Sequence, residues 1–97
     1  MAMFVALLEF SEDEELRQRT RSGHREYLRS LFDTGRLVMS GPWADDTGAM
    51  LIYDVDDLAE AERLLDADPY QGAGVLANAR IKEWRVVLQA ALAGQGT

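Results

Sequence analysis

The feature that most constrains this chain is the order in which strand-like and helix-like apolar periods follow one another. Met3 to Phe10 (MFVALLEF) places Phe4, Ala6, Leu8 and Phe10 on one side and Val5 and Leu7 on the other, the pattern of a strand buried on both faces. A helical period follows at once. Ser11 with Glu14 matches a capping box, and the acidic run Glu12 to Glu15 suits the positive end of a helix dipole. Leu16, Tyr27, Leu28, Leu31 and Phe32 then recur at helical spacing, and Gly35 offers a left-handed stop, which predicts a helix over about residues 13–34.

Arg36 to Ser40 reads as a short strand ended by Gly41-Pro42, because proline cannot donate to a ladder. Asp45 to Gly48 is a turn, and Ala49 to Val55 returns as the next strand. Asp56 or Asp57 caps a second helix with Leu58, Ala61, Leu64 and Leu65 as its apolar stripe. Asp68-Pro69 ends that helix and starts a helical turn to about Ala73, after which Gly72-Ala73-Gly74 loosens the chain. A final strand is predicted over about Ala79 to Leu88, with a bulge near Lys82-Glu83 to reconcile Ile81 with Trp84, Val86 and Leu88. Residues 1–97 form one domain, with 90–97 as a frayed tail.

The order β-α-β-β-α-β predicts an α+β, ferredoxin-like fold: a four-stranded antiparallel sheet with both helices on one face. The other sheet face is left bare. Apolar residues on both sides of the first and third strands predict that this open face packs against a second copy, giving a homodimer.

Composition removes several function classes. There is no cysteine, hence no disulfide or thiolate, and the single histidine leaves mainly oxygen ligands, so neither a metal nor a cofactor is expected. A net charge of −7 opposes nucleic-acid binding. No apolar run approaches the ~20 residues that span a bilayer, and the opening lacks a basic segment and cleavage site, so no membrane association and a cytoplasmic location are expected. Six of the ten basic residues fall between Arg17 and Arg36, a local excess suited to a small anion.

His24 is the candidate centre of any chemistry. It precedes Tyr27, Leu28 and Leu31 by three, four and seven residues, which turns it toward the core side of the first helix, with Arg21 and Arg17 along the same edge. A lone histidine so placed is ordinarily a packing residue, and Asp68 before proline is ordinarily a helix cap. A capping carboxylate keeps a second oxygen that can orient an imidazole, so the two roles of Asp68 are compatible. Gly23 would let another segment approach closely. Trp43 and Trp84 read as interface packing rather than substrate-stacking rings, and Arg25 and Arg29 as a solvated face paired with Glu26 and Asp33.

Taken together, Arg21-Ser22-Gly23-His24, Gly35-Arg36-Leu37, Ser40-Gly41-Pro42, Ala67-Asp68-Pro69-Tyr70 and Ala73-Gly74-Val75 resemble the YciI-like (YCII-related) family from about Met3 to Val87. The resemblance implies a dimeric α+β barrel with a histidine–aspartate dyad, here His24 and Asp68. It implies a pocket that Gly41-Pro42 line with Arg21 nearby, and Ser40, Pro69 and Tyr70 complete the expected substrate-binding set. Ser40 stands where the family often has alanine or another small residue, and the turn at Asp45 to Gly48 is shorter than in many members.

Characterised relatives include a dehydrochlorinase of a chlorinated hydroxyquinol, and lactone isomerases share the barrel. A carboxylate that fixes one imidazole tautomer supports proton transfer, so the expected activity is that of a cofactor-independent lyase or isomerase on a small anionic metabolite. The rival readings are a small-ligand-binding regulatory module and a cofactor-free or haem-linked oxygenase on the same barrel.

Overall fold

A computed structural model describes residues 2–90 of the chain. In chain order the elements are β1 (Ala2–Phe10), α1 (Glu14–Asp33), β2 (Leu37–Pro42), β3 (Gly48–Val55), α2 (Leu58–Asp66), α3 (Pro69–Gly72) and β4 (Leu76–Trp84). The strands form one antiparallel sheet in the order β2-β3-β1-β4, the expected ferredoxin-like arrangement.

One face of the sheet makes the core. Phe4, Ala6 and Leu8 of β1 and Leu51, Tyr53 and Val55 of β3 point to it. They meet Leu28 and Leu31 of α1 and Ala61, Leu64 and Leu65 of α2. Burying each large aliphatic or aromatic side chain is worth roughly 1.5–3 kcal/mol, and a one-residue slip would turn the whole set outward, so register follows from the apolar pattern. The opposite face carries Met3, Val5 and Leu7, which are only half-buried, together with Ile52. Within one chain, β1 is thus fully buried on a single side.

Several boundaries differ from expectation. The cap of α1 is Asp13, whose Oδ1 accepts from the Leu16 N–H at 3.0 Å. Ser11 does not act as the cap: its main-chain N–H donates to Val75 at 2.7 Å, which holds it two residues short of the helix. Phe32 lies half-exposed under the Arg29 guanidinium, and Leu58 is also half-exposed, so the apolar stripes are narrower than the sequence suggests. β2 continues through Gly41-Pro42, which an edge strand tolerates because its outer side has no ladder to satisfy. Gly35 takes the left-handed conformation (φ 80°) that ends α1.

The largest shift is in β4, which starts three residues before the predicted Ala79 and ends at Trp84. Its irregularity lies at Ala77, not Lys82-Glu83: Glu9 pairs with Asn78 and Phe10 with Leu76, leaving Ala77 unopposed. This phase sends Ala79 and Ile81 toward the core. Met3 opposite Trp84 is the last rung of the β1–β4 ladder, and Val87 and Leu88 stand exposed beyond it. Most of the predicted tail, residues 91–97, lies outside the described residues.

Gly23 sits inside α1, and a β-carbon there would meet only Pro69 side-chain atoms, at 3.9 and 4.0 Å. That is ordinary contact, so the close approach expected at this glycine does not require it. Gly23→Ala should therefore raise stability by about 0.5–1 kcal/mol through helix propensity. Denaturant unfolding checks this; a lower midpoint would show that the α1–α3 contact is tighter than described.

Candidate active site

Two pieces of local structure bring the candidate dyad together. The inward face of α1 carries His24, Leu28 and Leu31 as its buried residues. Asp68 lies between α2 and α3 with an extended backbone, as a residue before proline must, and caps α3 by accepting from the Tyr70 N–H at 2.9 Å. The same Oδ1 lies 2.7 Å from His24 Nδ1. One oxygen therefore serves both cap and imidazole, rather than one oxygen each, and Oδ2 is buried with no hydrogen-bond partner among the described residues.

With Asp68 as a carboxylate, only the ring can donate, so the neutral imidazole carries its hydrogen on Nδ1 and its lone pair on Nε2. The ring is held flat against Tyr70, with centroids 3.7 Å apart and planes 2° from parallel. Phe10 meets Tyr70 edge-on at 5.8 Å, and the Arg17 guanidinium lies 4.6 Å above Phe10. This stack fixes the imidazole plane. Asp68 is fully buried and His24 nearly so, with 8% exposure.

A cavity of about 210 Å³ opens beside the histidine. Of the residues expected around it, Arg21, His24, Ser40, Gly41, Pro42 and Tyr70 line it. Asp68 lies beneath, touching His24 rather than the cavity. Pro69 does not line it: as first residue of α3 it packs back on α1 at Gly23. Trp43 and Trp84 are not among its lining residues.

Phe10, Arg17, Arg25 and Asp46 enter the lining without having been assigned a role. Arg17, Arg21 and Arg25 are spaced by four; helical phase sets Arg17 and Arg21 along the His24 edge, whereas Arg25 reads from the sequence as solvated surface. Arg29 does pair with Asp33, at 3.3 Å, whereas Arg25 reaches the cavity instead. Arg17 Nε is buried without a hydrogen-bond partner among the described residues. Asp46, in a left-handed turn conformation (φ 59°), is the acidic residue of the lining. The cavity is thus cationic along α1 within an acidic protein.

Two phenols lie under the dyad. Burial, reinforced by the negative charge of Asp68 and then by Tyr27, pushes the Tyr53 hydroxyl far above the ordinary tyrosine range. Tyr27 is raised mainly by burial and secondarily by Asp68, with Arg36 opposing; its hydroxyl donates to the Leu64 carbonyl at 2.6 Å. Both therefore stay neutral donors at physiological pH.

Comparison with known proteins agrees with the motif reading. Residues 2–85 match the model of the YCII-related domain. The uncharacterized protein YjpA of Bacillus subtilis is 34% identical over 84 residues, covering 87% of this chain and 98% of its own. Protein YciI of Escherichia coli is also 34% identical, covering 75% and 85% respectively. Among solved structures, 5-chloro-2-hydroxyhydroquinone dehydrochlorinase from Burkholderia phenoliruptrix, in complex with 2,5-dihydroxybenzoquinone, superposes with a TM-score of 0.74 at 22% identity. That alignment covers 86% of this chain and 93% of the dehydrochlorinase, and it speaks for the shared fold. By the extent of the domain match and of the curated relatives, this chain belongs to the YCII-related domain family.

Proposed function

We propose that this protein is a cofactor-independent lyase or isomerase acting on a small anionic metabolite, with His24 and Asp68 as its proton-transfer pair. One observation carries the reading: His24 is tied to Asp68 through Nδ1 at 2.7 Å and lines a cavity walled by three arginines. Nε2 takes a proton from an acidic O–H or C–H of the substrate, and Asp68 stabilises the imidazolium so formed. The electron pair released from that bond either expels a leaving group or shifts along the ring, and His24 returns the proton to the leaving group, to solvent or to another carbon. Arg17, Arg21 and Arg25 hold the anionic oxygens, and Ser40, Gly41 and Pro42 bound the opposite wall. At about 210 Å³ the cavity is smaller than the ~300–1,000 Å³ of drug-sized sites, which suits a one-ring compound.

The substrate class is tested with calorimetry on benzoate, its neutral isostere benzamide, and 2,5-dihydroxybenzoquinone, the ligand of the dehydrochlorinase. Anions are expected to bind at least about tenfold tighter than benzamide, and Arg21→Met or Arg17→Met to abolish most of that preference, the size of a charge-assisted hydrogen bond. Equal affinity for benzoate and benzamide, or binding indifferent to both substitutions, would remove the anion-site reading.

We further propose that two copies pair through the open sheet face. Val5 stands at its centre, opposite Ile52 on β3 and Lys82 on β4, with exposed Met39 and Trp84 at the flanks. Light scattering should report a dimer for the native chain and a monomer for Val5→Glu; a monomeric native chain would exclude this pairing.

A further inference from the structure

Asp68 is satisfied on one side only. Oδ1 accepts from both the imidazole and the Tyr70 main chain, whereas Oδ2 is buried with no hydrogen-bond partner among the described residues. Nearly all buried polar atoms in folded proteins are paired with protein or water, and an unpaired carboxylate oxygen is among the least tolerable exceptions.

A second unpaired oxygen lies in the same region. Tyr53 on β3 is fully buried, and its hydroxyl likewise has no partner among the described residues. The two residues belong to one assembly. Tyr53, Leu64 and Leu65 belong to one core cluster against which Tyr27 packs, and Tyr27 is three residues beyond His24 on α1. The Tyr27 hydroxyl ends on the Leu64 carbonyl, four residues before Asp68. The Asp68 charge acts on both phenols. Tyr27 has committed its hydrogen to Leu64, but Tyr53 has not, so this part of the core holds one buried donor and one buried acceptor, each without a direct partner among the described residues. One water, donating to the carboxylate and accepting from the phenol, satisfies both.

We propose that Tyr53 is a positioning residue for the His24–Asp68 pair, its hydroxyl donating through a single internal water to Asp68 Oδ2. The carboxylate is then anchored at both oxygens, its plane is set against Nδ1, and its pull on the imidazolium is moderated. The titratable and charged groups around it are His24 and Tyr27 from α1, Tyr53 from β3 and Tyr70 from α3, with Arg36, just before β2, acting on Tyr27. The inference rests on the dyad as geometry and not on its catalytic use.

The single histidine makes a clean test. A donor to Oδ2 stabilises the deprotonated pair, which bears the net negative charge, more than the protonated one. Removing it in Tyr53→Phe must therefore raise the proton affinity of the pair, by about threefold or more in an NMR titration of the imidazole. An unchanged titration in a variant that unfolds like the native chain would overturn the proposal. A high-resolution crystal structure of the native protein tests it without mutation: a water within about 2.6–3.2 Å of both oxygens supports it, and its absence overturns it. Neither readout uses a substrate, so this inference and the catalytic reading fail or stand separately.

Discussion

Asp68→Asn is expected to lower turnover by about 10²–10⁴-fold while leaving the chain folded, the range that positioned acid–base catalysis contributes. The asparagine carbonyl can still accept from the Tyr70 N–H at the start of α3, so the cap survives. The same carbonyl oxygen can still accept from His24 Nδ1, so the ring tautomer is kept, but a neutral amide no longer stabilises the imidazolium that forms when Nε2 takes a proton. The cavity-facing nitrogen keeps its lone pair but is a weaker base where the reaction needs a strong one. His24→Ala is expected to fall to a similar level, because the two residues act as one unit and their losses do not add. Steady-state kinetics on a substrate of the cavity measures the effect, and activity within a fewfold of native would end the dyad reading. An NMR titration of the imidazole follows its proton affinity without any substrate, and an affinity in Asp68→Asn equal to that of the native chain would contradict the same argument.

Gly48→Ala is expected to produce the largest loss of stability, about 3 kcal/mol or more, and so to lower the melting temperature by at least about 10 °C. Gly48 opens β3 and is paired with Glu9 of β1. A β-carbon there would collide with the main-chain carbonyl of Leu8, with Trp43 Nε1 next at 3.1 Å. A backbone carbonyl inside a ladder cannot rotate away as a side chain can. The Gly48 carbonyl also accepts from the Trp43 N–H at 2.9 Å, so displacing it disturbs the β2–β3 turn that carries Asp46 into the cavity. Thermal unfolding measures this, and a melting temperature within about 2 °C of native would show that β1 and β3 can separate locally at little cost. The contrast with Gly23→Ala, where the new methyl finds room, separates a steric requirement from a conformational one.

The fold was legible because its signals are local. Asp68 before Pro69 predicts an extended residue followed by a helical turn, and both are present. Gly35 predicts a left-handed stop to α1, and its φ of 80° agrees. The alternation of Phe4, Ala6 and Leu8 predicts one inward face, and those three residues are in the core. The end of β4 differs because the apolar residues that suggest a longer strand, Trp84, Val86 and Leu88, lie at its last rung or beyond it, whereas Ala79 and Ile81 face the core. Where a strand ends depends on the partner with which it pairs, and the β1 register is not written in the β4 sequence. The cap of α1 was misassigned for a related reason, since a contact from Val75, over sixty residues away, decides where Ser11 sits.

The site divides along the same line. Sequence by itself determined the residue types and their helical phase: a single histidine turned inward, Arg17 and Arg21 along the same edge, and an aspartate poised to cap a turn. Those follow from local geometry, in which residues three and four apart share a face whatever surrounds them. Tertiary structure alone decided that His24 and Asp68 meet at 2.7 Å across 44 residues, and that one carboxylate oxygen is shared while the other is buried without a partner among the described residues. It also decided that Arg25 faces the cavity and Pro69 does not. The physical reason is that hydrogen bonds act over a few tenths of an ångström, a precision that periodicity cannot supply and that only the packing of α1 against α3 over a common sheet creates.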